Sequence, residues 1–75
     1  MTYEQFLKEF KKEAIAIAIL ALQDKEVYRY IFENPMNENE ADAVWLLSNP
    51  ETLDYVIKYQ NENKVKFIKQ NSLIT

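Results

Sequence analysis

Ala14-Ile15-Ala16-Ile17-Ala18-Ile19-Leu20-Ala21-Leu22 is an unbroken run of nine apolar residues. Read in pairs, the alternation of Ala and Ile suggests a strand. Both members of the alternation are apolar, however, so it defines no polar and apolar face. Ala and Leu favour helix, and the preceding residues decide the matter. Tyr3, Phe6, Leu7, Phe10, Ala14, Ile17, Ala18 and Ala21 recur at spacings of three and four, giving one stripe that enters the run without a break. The pattern predicts a helix from Tyr3 to Leu22, with Thr2 as its cap and Gln5 closing a capping box. The first half of that helix is amphipathic and the second is apolar all round. A helix of the second kind is buried on every side. It is therefore either the central helix of a bundle or a helix with one side against another chain.

Working outward, Asp24 is a candidate cap for a second helix, although without Gly or Pro there the first helix could also continue to Glu33. Asn34-Pro35 ends it, because the residue before a proline is pushed out of the α region. Asn37 then caps a further helix, with Glu40 three residues on and Met36 in the staple position. Ala41, Val44, Trp45 and Ser48 form one face of that helix, with Leu47 beside it, which predicts a buried Trp45. Asn49-Pro50 stops this helix and starts the last one, with Pro50 at its first position. The stripe Leu53, Val56, Ile57, Gln60, Lys64, Phe67 and Ile68 predicts helix to about Lys69 and a frayed tail over 70–75. The alternation Lys64-Val65-Lys66-Phe67 permits a short strand, but the chain offers no second strand to pair with it. The reading is an all-α single domain over 1–75. It is a small bundle of three or four short helices, completed by dimerisation.

Composition narrows the class further. At 75 residues the chain holds one domain with a small core. Such domains need disulfides, a metal, a partner or very good packing. Cys and His are both absent, so no disulfide and no Cys- or His-based metal site is available. Gly is also absent, which removes tight hairpins and phosphate-cradling loops. Asn37, Asn39 and Asp42 do not make a calcium loop, since the spacing, the glycine and the terminal glutamate are missing. No cofactor is expected. Neither Ser48 nor Ser72 sits in a nucleophile elbow, and the cluster Glu38, Glu40 and Asp42 lacks a pocket to separate its pKa values, so no catalysis is expected. The apolar run is too short to span a bilayer. The mixed charges before it do not make the basic start of a signal peptide. The expected place is the cytoplasm, away from membranes. A bias towards Asn, Ile, Lys, Tyr and Phe matches AT-rich coding sequence, as in many low-GC bacteria and their phages.

Charge is unevenly spread. Residues 24–54 carry a net charge of −6, whereas 1–23 are neutral and 55–75 carry +3. An acidic helical surface suits a basic partner. The candidate partner-binding residues are Glu33, Glu38, Glu40, Asp42, Glu51 and Asp54. The chain also has more large apolar side chains than so small a core can hold, and Tyr and Trp are favoured in interfaces. The expected oligomer interface is Ile15, Ile19, Leu22, Tyr28 and Phe32. The function these features suggest is a small non-catalytic interaction module, a regulator or inhibitor of the sort phages and mobile elements carry, docked on a basic protein. The alternatives are a nucleic-acid-associated accessory protein using Lys64, Lys66 and Lys69 beside Phe67 on a C-terminal helix, or a structural subunit of a larger assembly. Nucleic acid is the weaker partner, since a pI near 4.9 is a poor footprint for it.

Overall fold

The computed structural model describes residues 1–66. Those residues form five helices and no strand: α1 (Tyr3–Glu9), α2 (Lys12–Gln23), α3 (Lys25–Glu33), α4 (Glu38–Ser48) and α5 (Pro50–Asn63). The fold is all-α. α2 is its centre and packs against α3, α4 and α5. Its apolar-all-round sequence is thus used within the chain: Ala14, Ile15, Ala18, Ile19 and Ala21 are all buried. Phe6, Ile31, Ala43, Leu46, Leu47 and Val56 join Ile15, Ala18, Ile19 and Ala21 in one core cluster.

The corners are made by capping side chains, as a chain without glycine requires. Thr2 and Gln5 form the capping box of α1. The Asp24 side chain caps α3, accepting the Glu26 N–H at 3.0 Å. Asn37 caps α4 by accepting from the Glu40 N–H at 2.9 Å. The Glu40 carboxylate reaches one residue further back than a capping box, accepting from the Met36 N–H at 2.9 Å. Asn49 alone separates α4 from α5 and caps the latter, with Pro50 following. Thr52, the one buried polar residue of the described core, locks this corner. Its hydroxyl lies 2.8 Å from the Leu46 carbonyl, which the end of α4 leaves without a helical partner because Pro50 has no N–H, and 3.1 Å from that of Asn49, which also accepts from the Leu53 N–H.

Four expectations are corrected. The described residues hold five helices where three or four were expected, because the first expected helix breaks in two and Asp24 starts a separate α3. The helix foreseen from Tyr3 to Leu22 is broken at Phe10-Lys11, both in extended conformation. A continuous helix of that length would reach about 30 Å and carry its first turns beyond the bundle. The break instead lays α1 on α5 and removes Phe6 fully from solvent. Burial of an aromatic ring outweighs local helix propensity.

The last helix stops at Asn63, short of Lys69. Lys64 takes the left-handed conformation at φ 51° and ψ 42°, and the Val65 N–H donates back to the Gln60 carbonyl at 3.1 Å. This is the usual glycine-type helix stop, made here by lysine because no glycine exists. Val65 is the apolar residue that turns back onto the core. Residues 64–66 are neither helix nor strand, and the expectations for Phe67, Ile68, Lys69 and the tail over 70–75 lie outside the described residues.

Trp45 is 48% exposed, not buried. α4 turns Ala43, Leu46 and Leu47 inward, while Ala41, Trp45 and Ser48 face solvent. α4 packs on α2, and its alanine and leucine side chains join the closely packed core while the larger indole stays outside it.

Candidate interaction surface

The outward side of α4 brings an exposed indole and two carboxylates onto one face. Glu38, Ala41, Asp42, Trp45 and Ser48 fall within about a third of the helix circumference at 3.6 residues per turn. The indole is half-exposed. Phe10, at the break between α1 and α2, stacks on it with ring centroids 5.7 Å apart and 23° between the planes. Phe10 is half-buried, and Leu7, one turn earlier, is 41% exposed. An aromatic pair with an open face therefore lies beside two carboxylates, Glu38 and Asp42. Neither carboxylate is in an ion pair or hydrogen bond among the described residues.

The six acidic candidates do not make one surface. Glu33 ends α3 and pairs with Arg29 at 3.2 Å. Glu38, Glu40 and Asp42 occupy the first two turns of α4, and Glu40 serves as a capping group there. Glu51 and Asp54 belong to the start of α5, a whole helix length away, about 16 Å along α4. Glu51 pairs with the ammonium of Met1 at 3.1 Å. Glu38 and Asp42 are the acidic candidates that share a helix face with the exposed Trp45.

The expected oligomer interface is also divided. Ile15 and Ile19 are 1% and 0% exposed, enclosed by the chain's own helices, so they present nothing to a second copy. Leu22 and Tyr28 are exposed, and Phe32 is half-buried with its ring stacked on Tyr28 at 4.4 Å. Among the lysines foreseen on a C-terminal helix, Lys64 and Lys66 are exposed but follow the end of α5, and Lys69 lies outside the described residues. Lys64 and Lys66 line an open concavity of about 520 Å³ with Gln23, Gln60 and Val65. Gln23 donates there to the Val65 carbonyl at 3.0 Å, and the Gln60 carbonyl oxygen Oε1 is buried without a hydrogen-bond partner among the described residues. The concavity presents two amides and two ammonium groups, and none of its side chains is a nucleophile paired with a base.

A second aromatic cluster has a structural role. Tyr3 and Phe6 of α1 pack on Tyr55 of α5 with centroids 5.6 and 5.5 Å apart. The Lys58 ammonium sits 4.5 Å over the Tyr3 ring, and the Tyr3 hydroxyl donates to Glu62 at 3.0 Å. Burial first, then the hydrogen bond and charge of Glu62 and the neighbouring Tyr59, push this hydroxyl up from 10.0 to about 12. The group is a clamp between α1 and α5.

The exposed indole was missed because the face of Ala41, Val44, Trp45 and Ser48 was read as the buried side of the helix. The signal was present: Ala41 and Ser48 flank Trp45 at helical spacing, whereas Ala43, Leu46 and Leu47 offer a more apolar opposite face. Among the described residues, no three acidic side chains converge as metal ligands, and no helix is long and apolar enough to cross a membrane. No family model, no curated protein and no solved structure matches the chain.

Proposed function

We propose that the protein is a non-catalytic interaction module that docks on a basic partner protein through the outer face of α4. Trp45 carries the proposal: it is 48% exposed on a face whose nearest charged neighbours along the helix are Glu38 and Asp42. An indole anchored by a stacked ring loses little conformational freedom on binding and buries a large apolar area, as hot-spot residues do. The two carboxylates favour approach of a cationic surface and speed encounter. A homodimer belongs to the same proposal. Leu22, Tyr28 and Phe32 leave apolar surface available, while Ile15 and Ile19 have no part in a contact between copies.

The test is capture from an extract of the native host on three immobilised forms: wild type, Trp45→Ala and the double reversal Glu38→Lys, Asp42→Lys. A partner retained by wild type and lost from both variants, with helicity unchanged, supports the reading. The charge reversal should also slow association and flatten its dependence on salt. Capture that survives both variants but fails when Lys64 and Lys66 are changed to Gln would move the function to the basic end of the chain and to nucleic acid.

A further inference from the structure

We infer that two copies join by exchanging α1, with the hinge at Phe10-Lys11. This rests on the homodimer of the proposed function and assigns its mode of assembly. The sequence from Tyr3 to Leu22 has the apolar spacing of one continuous helix, yet the chain interrupts it with two extended residues. Nothing local requires the break. Phe10 and Lys11 are neither glycine nor proline, and the Lys11 side chain makes no capping hydrogen bond to the first turn of α2.

Backbone bonds from the N–H groups of residues 11–14 to the carbonyls of residues 7–10, which a continuous helix would make, do not form. What holds the break is the docking of α1 on α5: Phe6 and Tyr3 against Tyr55, Lys58 over Tyr3, and Tyr3 to Glu62. Each of these contacts is between elements far apart in sequence. A second copy's α1 can make every one of them equally well. Straightening the hinge while α1 exchanges would therefore keep the docking contacts and add the missing helical bonds. This is the usual energetic basis of an exchanged dimer.

The occupant of the α1 site in the dimer is the same seven-residue helix from the other copy. Each copy keeps its own α4 face, so the dimer presents two docking surfaces. The Phe10 stack on Trp45 depends on the bent hinge, so exchange changes the ring that covers the indole.

Hinge variants read by light scattering, with the protein refolded across a range of concentrations, test the inference. Lys11 already has φ −67° and Phe10 before it is extended at ψ 136°, so Lys11→Pro suits the bent hinge and is incompatible with a straight helix there. The double change Phe10→Ala, Lys11→Ala favours the straight form. Exchange predicts that wild type reaches twice its 9.0 kDa mass as concentration rises. The alanine pair should do so at least tenfold lower in concentration, and Lys11→Pro should remain monomeric with unchanged helicity. A dimer that persists in Lys11→Pro overturns exchange while leaving a face-to-face homodimer through Leu22, Tyr28 and Phe32 intact. Monomers throughout, with the alanine pair included, overturn both. If the proline variant does not fold, the alanine pair alone decides, because a face-to-face dimer gains nothing from a straighter hinge.

Discussion

Thr52 shows how much one hydroxyl can hold together. It is 1% exposed and its oxygen lies within hydrogen-bonding distance of two carbonyls at the α4–α5 corner. Thr52→Val keeps the shape and removes the donor. Leaving a buried acceptor unpaired costs about 1–3 kcal/mol, so the denaturant midpoint should fall with no change in slope, and Thr52→Ser should recover part of the loss. Tyr3 makes a second residue-level prediction, in pH. Its hydroxyl titrates at about 12 in the folded chain against 10.0 ordinarily, so the folded state holds the proton more tightly. The resulting stability is complete below pH 10 and is lost as pH rises through 12. Tyr3→Phe should therefore remove part of the decline in stability that wild type shows over that interval. Curves for the two forms that run parallel from pH 9 to 12 would contradict the assignment. Lys64 completes this scale. Left-handed backbone costs a residue with a Cβ about 1–2 kcal/mol, and the flexibility glycine adds to the unfolded chain returns roughly half of that. Lys64→Gly should raise the melting temperature by a few degrees.

At the level of elements, the helix ends were the most legible part of the sequence. Thr2, Asp24, Asn37 and Asn49 cap the helices they were read to cap, and Asn34-Pro35 and Asn49-Pro50 mark the stops. Capping is local chemistry, settled by a side chain and an amide two or three residues away, so a sequence displays it. The break at Phe10-Lys11 was not legible, because it is set by where Phe6 finds its pocket against α5. The rotation of α4 was equally hidden. Both of its faces contain apolar residues, and the choice depends on which of them pack against α2, a long-range matter. The stop at Lys64 went unread because the usual marker, glycine, is missing. The candidate site followed the same division. Glu38 and Asp42 were identified from charge alone, but that Trp45 stands beside them in solvent depends on packing. With the indole half-exposed, Trp45→Ala should cost only about 1 kcal/mol, the worth of the lost stack. Were it a core residue, the cost would be 3 kcal/mol or more. Chemical denaturation separates the two.

At the scale of the molecule, the described residues form a four-helix assembly around α2 with a fifth, short helix strapped onto α5. That arrangement divides the chain into parts of unequal strength. α2, α3, α4 and α5 share one apolar cluster, whereas α1 contributes one fully buried side chain, Phe6, and otherwise holds by partly buried ring contacts of Tyr3 and an exposed bond from Tyr3 to Glu62. Elements fastened in this way open before the rest. Amide exchange should release the protons of residues 7–9 well ahead of those of residues 16–21, and equal protection would show that the strap and the bundle open together. The ring stack at the hinge gives that opening an optical signature. Trp45 is the chain's single tryptophan, and Phe10 covers one side of it. When α1 swings away, the covered side of the indole meets water. The emission should move to longer wavelength and iodide should quench it faster, while far-ultraviolet ellipticity stays nearly constant. The chain thus carries an intrinsic fluorophore that reports the angle of its own hinge in real time, with no dye attached.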